Sequence, residues 1–332
     1  MSYQRRRLTI EEYSAGVIAG DKIILSRAIT LCESNLEEDR KLAEEVLAAI
    51  IPYSGNSLRI GITGVPGVGK STFIESFGKH LTSLNKKTAV LAIDPSSQKT
   101  KGSILGDKTR MEALAHDPLA FIRPTATGTA LGGVGNKTRE VMLLCEAAGF
   151  EIIIVETVGV GQSETAVKGM VDFFLLLMLA GAGDELQGMK KGIMEMADAI
   201  AINKADGSNI MAAKKAKAEY QNALHLFPVH ESGWQPKVLT CSAVQKEGLK
   251  AIWELISSYK EVTLNNGFFH ENRRIQNIQW MQEVIKQDLE SHFLQHPLVK
   301  SRLPKLESEV LKGDLPALNA AKILLSIYKG EK

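Results

Sequence analysis

The stretch GVPGVGKST, residues 64–72, has the spacing of a phosphate-binding loop: Gly64 and Gly69 frame four residues, and Lys70, Ser71 and Thr72 follow. Such a loop wraps the α- and β-phosphates of a nucleotide in backbone N–H groups, and its glycines let the backbone come close. Gly64, Val65, Pro66, Gly67, Val68 and Gly69 would form the cradle, with Lys70 reaching the β/γ oxygens. The Ser71 hydroxyl can ligate Mg²⁺, and a helix starting around Thr72 turns its positive N-terminal end toward the phosphates.

A second motif, NKAD (203–206), follows the apolar run AIAI. The Asp206 carboxylate can accept from the N1–H and the 2-amino group of guanine. Adenine offers an acceptor at N1 and no 2-amino group, so the acid would face a lone pair. Asn203 would support the O6/N7 edge, and the stem of Lys204 can lie over the base. Downstream, CSAV (241–244) places the backbone amides of Ser242, Ala243 and Val244 where guanine O6 would arrive. Together these residues point to GTP and GDP rather than adenine nucleotides.

Three acids lie between the two motifs: Asp94 in LAIDPSS, Asp107 in GDKTRM and Glu156 in ETVGVGQSE (156–164). Each could hold Mg²⁺ through water or orient an attacking water. Taken singly, Asp94 and Asp107 would serve as well as helix caps or turn residues. Ras-like switches follow the sensor glycine directly with a water-positioning glutamine; here Val160 follows Gly159 and Gln162 comes later. A sensor built this way should hydrolyse slowly on its own and suit a timer completed by a partner.

These motifs need strands and helices to hold them. Short β-rich runs recur at 58–63, 88–93, 151–156, 173–179, 199–203 and 237–241, with AFIRP (120–124) as a further strand. Helical stretches separate most of them, the signature of an α/β fold with a doubly wound, mostly parallel sheet. The run FFLLLMLA (173–180) is far too short to span a bilayer and suits a strand buried on both faces. The expected organisation is a helical N-terminal arm (1–56), a P-loop domain (57–260) and a helical C-terminal extension (261–332).

Composition narrows the class. The chain has 332 residues and a formal net charge of +2, too balanced to demand nucleic acid or an anionic membrane as partner. Cys32, Cys145 and Cys241 stand far apart and form no CxxC pair, which fits a reducing cytoplasm. The start MSYQRRRLTIEEY has no apolar core of a secretory signal, so a cytoplasmic location is expected.

The motifs GVPGVGKST, AIDPSS, GDKTRM, ETVGVGQSE and NKAD, with the loop AGAGDELQGMKKGIMEMAD (180–198), resemble the cobalamin-associated G-protein chaperones. Bacterial members of that MeaB/ArgK-like family have also been labelled arginine/ornithine transport kinases. The resemblance spans nearly the whole chain. It implies a homodimeric, Mg²⁺-dependent GTPase that loads, protects or reactivates an adenosylcobalamin-dependent methylmalonyl-CoA mutase. It carries Gly64 to Thr72 onto phosphate and Mg²⁺, and Asp94, Asp107 and Glu156 onto the switches. Asp206 falls on the base, and Ser242 to Val244 on its edge. The glycines of the 180–198 loop make it deformable, and Lys190 and Lys191 could reach a partner or the nucleotide.

Two other readings use the same loop: an ATP-dependent kinase of amino-acid transport, which NKAD and CSAV oppose, and a nickel metallochaperone. For the latter, His292 and His296 lie four apart on a helix with nothing nearby to complete a site. On that helix, expected over about 270–296, Ile278, Met281, Ile285, Leu289 and Phe293 form an apolar stripe. Its simplest cover is the same helix from a second subunit, which predicts a homodimer built through the C-terminal extension.

Overall fold

A computed structural model describes residues 6–94, 111–126, 131–157, 163–181, 191–228 and 230–330. It divides into two compact units, Met1–Gln276 and Asn277–Lys332.

The first unit begins with three helices, α1 (Ile10–Ile18), α2 (Lys22–Glu33) and α3 (Glu37–Ile50). Thr9 and Glu12 cap α1 reciprocally, each side chain bonding the other's backbone N–H, and the Asp21 carboxylate accepts from two amides of α2. These caps break the helical stretch read from the sequence into three.

Seven strands follow: β1 (Leu58–Gly64), β2 (Thr88–Asp94), β3 (Ala120–Ala126), β4 (Ile152–Thr157), β5 (Phe173–Leu179), β6 (Ala199–Asn203) and β7 (Lys237–Thr240). Between and after them run α4 (Lys70–Ser83), α5 (Glu112–Ala115), α6 (Leu131–Ala147), α7 (Ser163–Lys168), α8 (Lys191–Met196), α9 (Ile210–Leu224) and α10 (Leu249–Asn265). The strand order is β3-β2-β4-β1-β5-β6-β7, and every described pairing is parallel. All C-terminal strand ends therefore share one edge of the sheet, where α/β folds gather ligands.

Alternation explains the continuous apolar runs. In β4, Ile152 and Ile154 join one core with Phe73, Phe77 and Ile256, whereas Ile153 and Val155 join a second with Val17, Ile29 and Val46. Both faces of the sheet are covered, so no strand can alternate with polar residues. β3 runs to Ala126, past Pro124, where the sequence reading ends it. As an edge strand it tolerates a residue that cannot donate to the ladder.

The helix α11 (Phe268–Gln295) starts in the first unit, where Phe269 enters the core beside α4 and α10. In the second unit, α12 (Pro297–Lys312) and α13 (Ala317–Lys329) close over Val299, Leu306, Ala320 and Leu324. Phe293 packs there, its ring 5.3 Å from that of Tyr328. The rest of the predicted stripe stays in solvent: Ile278, Met281, Ile285 and Leu289 are 54, 55, 49 and 60% exposed.

Candidate nucleotide site

The phosphate loop leaves β1 and enters α4. A Cβ on Gly64 would sit 2.5 Å from the Leu177 carbonyl on β5, so the strand's last residue must be glycine to keep that approach. Gly69 caps α4 in the left-handed region, φ 88°, with Asn203 Nδ2 3.2 Å from where a Cβ would stand. Lys70 is half-buried and donates to the Gly64 carbonyl at 2.7 Å, the position from which β/γ oxygens would recruit it. Burial draws the Lys70 pKa below the ordinary lysine value, and the carboxylates of Glu156 and Glu164 oppose that.

Glu156 lies across from Ile62 in the β1–β4 register and is buried. Ser71 Oγ donates to Glu156 Oε1 at 3.4 Å, which brings together two of the predicted magnesium ligands. Beside them, Thr157 Oγ1 donates to Thr63 Oγ1 at 2.8 Å and ties the ends of β4 and β1. Thr63 and Thr157 were not singled out by sequence reasoning, since a threonine at a strand end carries no spacing signal. Glu164, buried in the first turn of α7 and felt by Lys70, lies within ETVGVGQSE, where its spacing alone assigns it no role. Asp94 ends β2 at the same sheet edge, but only its backbone is described. Asp107, Gln162 and Lys190 lie outside the described residues, and of Lys191 only the backbone is described.

The base motif sits at the end of β6 and is wired to the phosphate loop. Asn203, 1% exposed, donates from Nδ2 to the Val68 carbonyl at 2.8 Å and accepts at Oδ1 from the Ala243 amide at 3.2 Å. Lys204, with φ 57°, crosses to the Gly67 carbonyl at 2.8 Å. The Ser242 hydroxyl donates to Asp206 Oδ2, orienting the carboxylate expected to read guanine. Of the three amides assigned to O6, that of Ser242 donates to Glu247 and that of Ala243 to Asn203, so an arriving oxygen would share the latter. Ser76 of α4 reaches the Ala243 carbonyl at 2.7 Å, joining phosphate helix and base loop directly.

A family model described as "Methylmalonyl Co-A mutase-associated GTPase MeaB" matches residues 25–297. The chain belongs to the MeaB family. "GTPase ArgK" of Escherichia coli is 48% identical over 284 residues, spanning 86% of each chain. "Methylmalonic aciduria type A homolog, mitochondrial" of Mus musculus is 42% identical over 330 residues, covering 96% of this chain and 80% of the relative. Among solved structures, an LAO/AO transport system kinase superposes with a TM-score of 0.76 at 37% identity, covering 98% of this chain and 99% of that one. Membership in the MeaB family makes the protein a P-loop GTPase that binds guanine nucleotides.

No described helix is long and apolar enough to cross a membrane. Among the described residues no group of three or more His, Cys, Asp or Glu could hold a metal ion. His292 pairs only loosely with Asp288, at 3.8 Å on the surface of α11, and gives the nickel reading no support.

Proposed function

We propose that this GTPase is a molecular chaperone of an adenosylcobalamin-dependent methylmalonyl-CoA mutase, using GTP binding and hydrolysis to time loading, protection or reactivation of the cofactor. The observation that carries the reading is the match to the mutase-associated MeaB model over residues 25–297, which includes the whole candidate nucleotide site. Gly64 to Thr72 bind the phosphates, Asn203, Lys204 and Asp206 the base, and Ser242 to Val244 its edge. Mg²⁺ is the fitting ion: Ser71 and Glu156 present hard oxygen donors beside the first turn of α4. Asp94 and Asp107 complete the switch chemistry in this proposal. Bound there, Mg²⁺ would neutralise charge on the β/γ oxygens.

In this account the protein acts as a cytoplasmic homodimer; the exposed apolar row from Ile278 to Leu289 supports the pairing of two subunits. Co-purification of the mutase with the full-length chain tests the assignment. Its recovery from extract in a GTP-dependent manner is the expected result, and a purified mutase that neither binds nor responds would overturn it.

A second reading, an ATP-dependent kinase of amino-acid transport, is favoured by the similarity to the LAO/AO transport system kinase. Competition between GTP and ATP for the purified protein separates the two, because Asp206 meets no donor on adenine.

A further inference from the structure

The first turns of α11 grip the segment that immediately follows the sensor helix. Arg139 of α6, 6% exposed, donates to the carbonyl of Gly169 at 2.8 Å and to that of Gln276 at 3.2 Å. Gln276, 3% exposed, returns its Nε2 to the Val171 carbonyl at 2.8 Å. One turn earlier, Arg273 holds Asp172 through two bonds, both of 2.7 Å, and also reaches the carbonyls of Gly55 and Ser57 at 2.6 Å. Every residue from Gly169 to Asp172 is thereby touched by this grip or, for Met170, packed in the core beneath it.

The position of that segment matters for the chemistry. The sensor stretch begins at Glu156 on β4, continues into α7, and α7 ends at Lys168, one residue before Gly169. β4 fixes its beginning through the sheet. Its far end is fixed by Arg59 of β1, whose amide donates to the Asp172 carboxylate and whose carbonyl accepts from the Asp172 amide, and by side chains from α6 and α11, neither of which carries a nucleotide motif. α6 itself follows β3 out of the catalytic edge of the sheet, as α7 follows β4, so Arg139 ties the end of the sensor helix to a second helix that starts at that edge.

We infer that Arg139, Gln276 and Arg273 are positioning residues for GTP hydrolysis, acting through the Gly169–Asp172 segment on the sensor that follows Glu156. A loosely anchored α7 spreads the sensor over more arrangements and lowers the fraction competent for attack, without altering the cradle that binds the nucleotide. The effect belongs in kcat rather than in KM.

The test uses the full chain, with Gln276→Met as the neutral variant and Arg139→Lys as the control that keeps the charge. Gln276→Met deletes one neutral hydrogen bond at similar volume, and Arg139→Met deletes the bonds to the Gly169 and Gln276 carbonyls; Arg139→Lys can still reach Gly169. The expected result is a kcat for GTP reduced by about fivefold in Gln276→Met and Arg139→Met, with GDP affinity and KM within about twofold of wild type. Arg139→Lys should recover most of the rate. Unchanged kcat in both methionine variants overturns the proposal. So does a kcat loss that travels with KM and melting temperature, or a Gln276→Met chain that fails to fold, because the bond would then be structural only.

Discussion

Asn203 and Val68 are joined by a 2.8 Å hydrogen bond from the side-chain amide to the loop carbonyl, across 135 residues of sequence. The base motif is therefore part of what holds the phosphate loop in shape. Asn203→Ala should weaken GTP and GDP alike by about tenfold or more, because it orphans a buried carbonyl as well as the Ala243 amide. Fluorescent-nucleotide titration checks this, and an effect confined to the base, with phosphate affinity intact, would contradict it.

Base choice is expected to rest on a different residue. Asp206, oriented by Ser242, should read the N1–H and 2-amino group of guanine. Asp206→Asn should therefore lose affinity for GTP and gain it for xanthosine triphosphate, whose 2-oxo group needs a donor. Retained GTP preference in that variant would remove NKAD from the base site.

Hydrolysis should depend far more on Lys70 than on Gln162. Lys70→Ala removes the charge expected to face the β/γ oxygens and should abolish turnover. Gln162→Ala should cost much less than about a hundredfold in kcat. Single-turnover phosphate release separates the two, and a larger loss for Gln162→Ala would move the water-positioning role onto it.

The first unit also holds a buried ion pair whose loss should show in stability. Glu146 accepts from Arg59 Nε at 2.8 Å, from Ser57 Oγ at 2.5 Å and from the Gly55 amide at 2.7 Å. Burial alone would raise its pKa, but Arg59 and Ser57 hold it below the usual carboxylate value. Its folded pKa is depressed, so its contribution is complete above the unfolded value of about 4.3 and is lost as pH falls through the folded one. Glu146→Ala should destabilise the protein by about 3–5 kcal/mol near neutral pH, leaving Arg59 buried without its partner. The difference in urea midpoint from wild type should shrink in acid; a difference independent of pH would contradict the ionic account.

Local patterns made much of this legible in advance. The phosphate loop and NKAD are contiguous motifs that sit at strand ends, and β4, β5 and β6 announce themselves by unbroken apolar runs because both sheet faces are covered. Less visible was anything assembled from scattered residues. Arg139 and Asp172 lie far in sequence from Arg273 and Gln276, and each alone looks like an ordinary polar side chain. On α11, Phe269 and Gln276 turn inward while Ile278 to Leu289 face solvent, so a helical stripe read from the sequence could not show which part the chain itself would cover. The end of β3 was hidden for another reason: proline ordinarily stops a strand, and only the edge position of β3 permits Pro124.

The exposed row on α11 should be covered in solution. Sedimentation of the full chain at micromolar concentration should give a dimer, and Ile285→Asp with Leu289→Asp should give a monomer that still binds GTP. A wild-type monomer would show that the row needs no second subunit.

If the nucleotide cycle serves a mutase, the mutase should change the rate of that cycle. Phosphate release from GTP should be measured for the purified protein alone and with an adenosylcobalamin-dependent methylmalonyl-CoA mutase added in excess. Slow turnover alone, acceleration of about tenfold or more by the mutase, and no such response with ATP is the predicted result. A GTPase rate indifferent to the mutase, with mutase activity equally indifferent to GTP and this protein, would contradict the account.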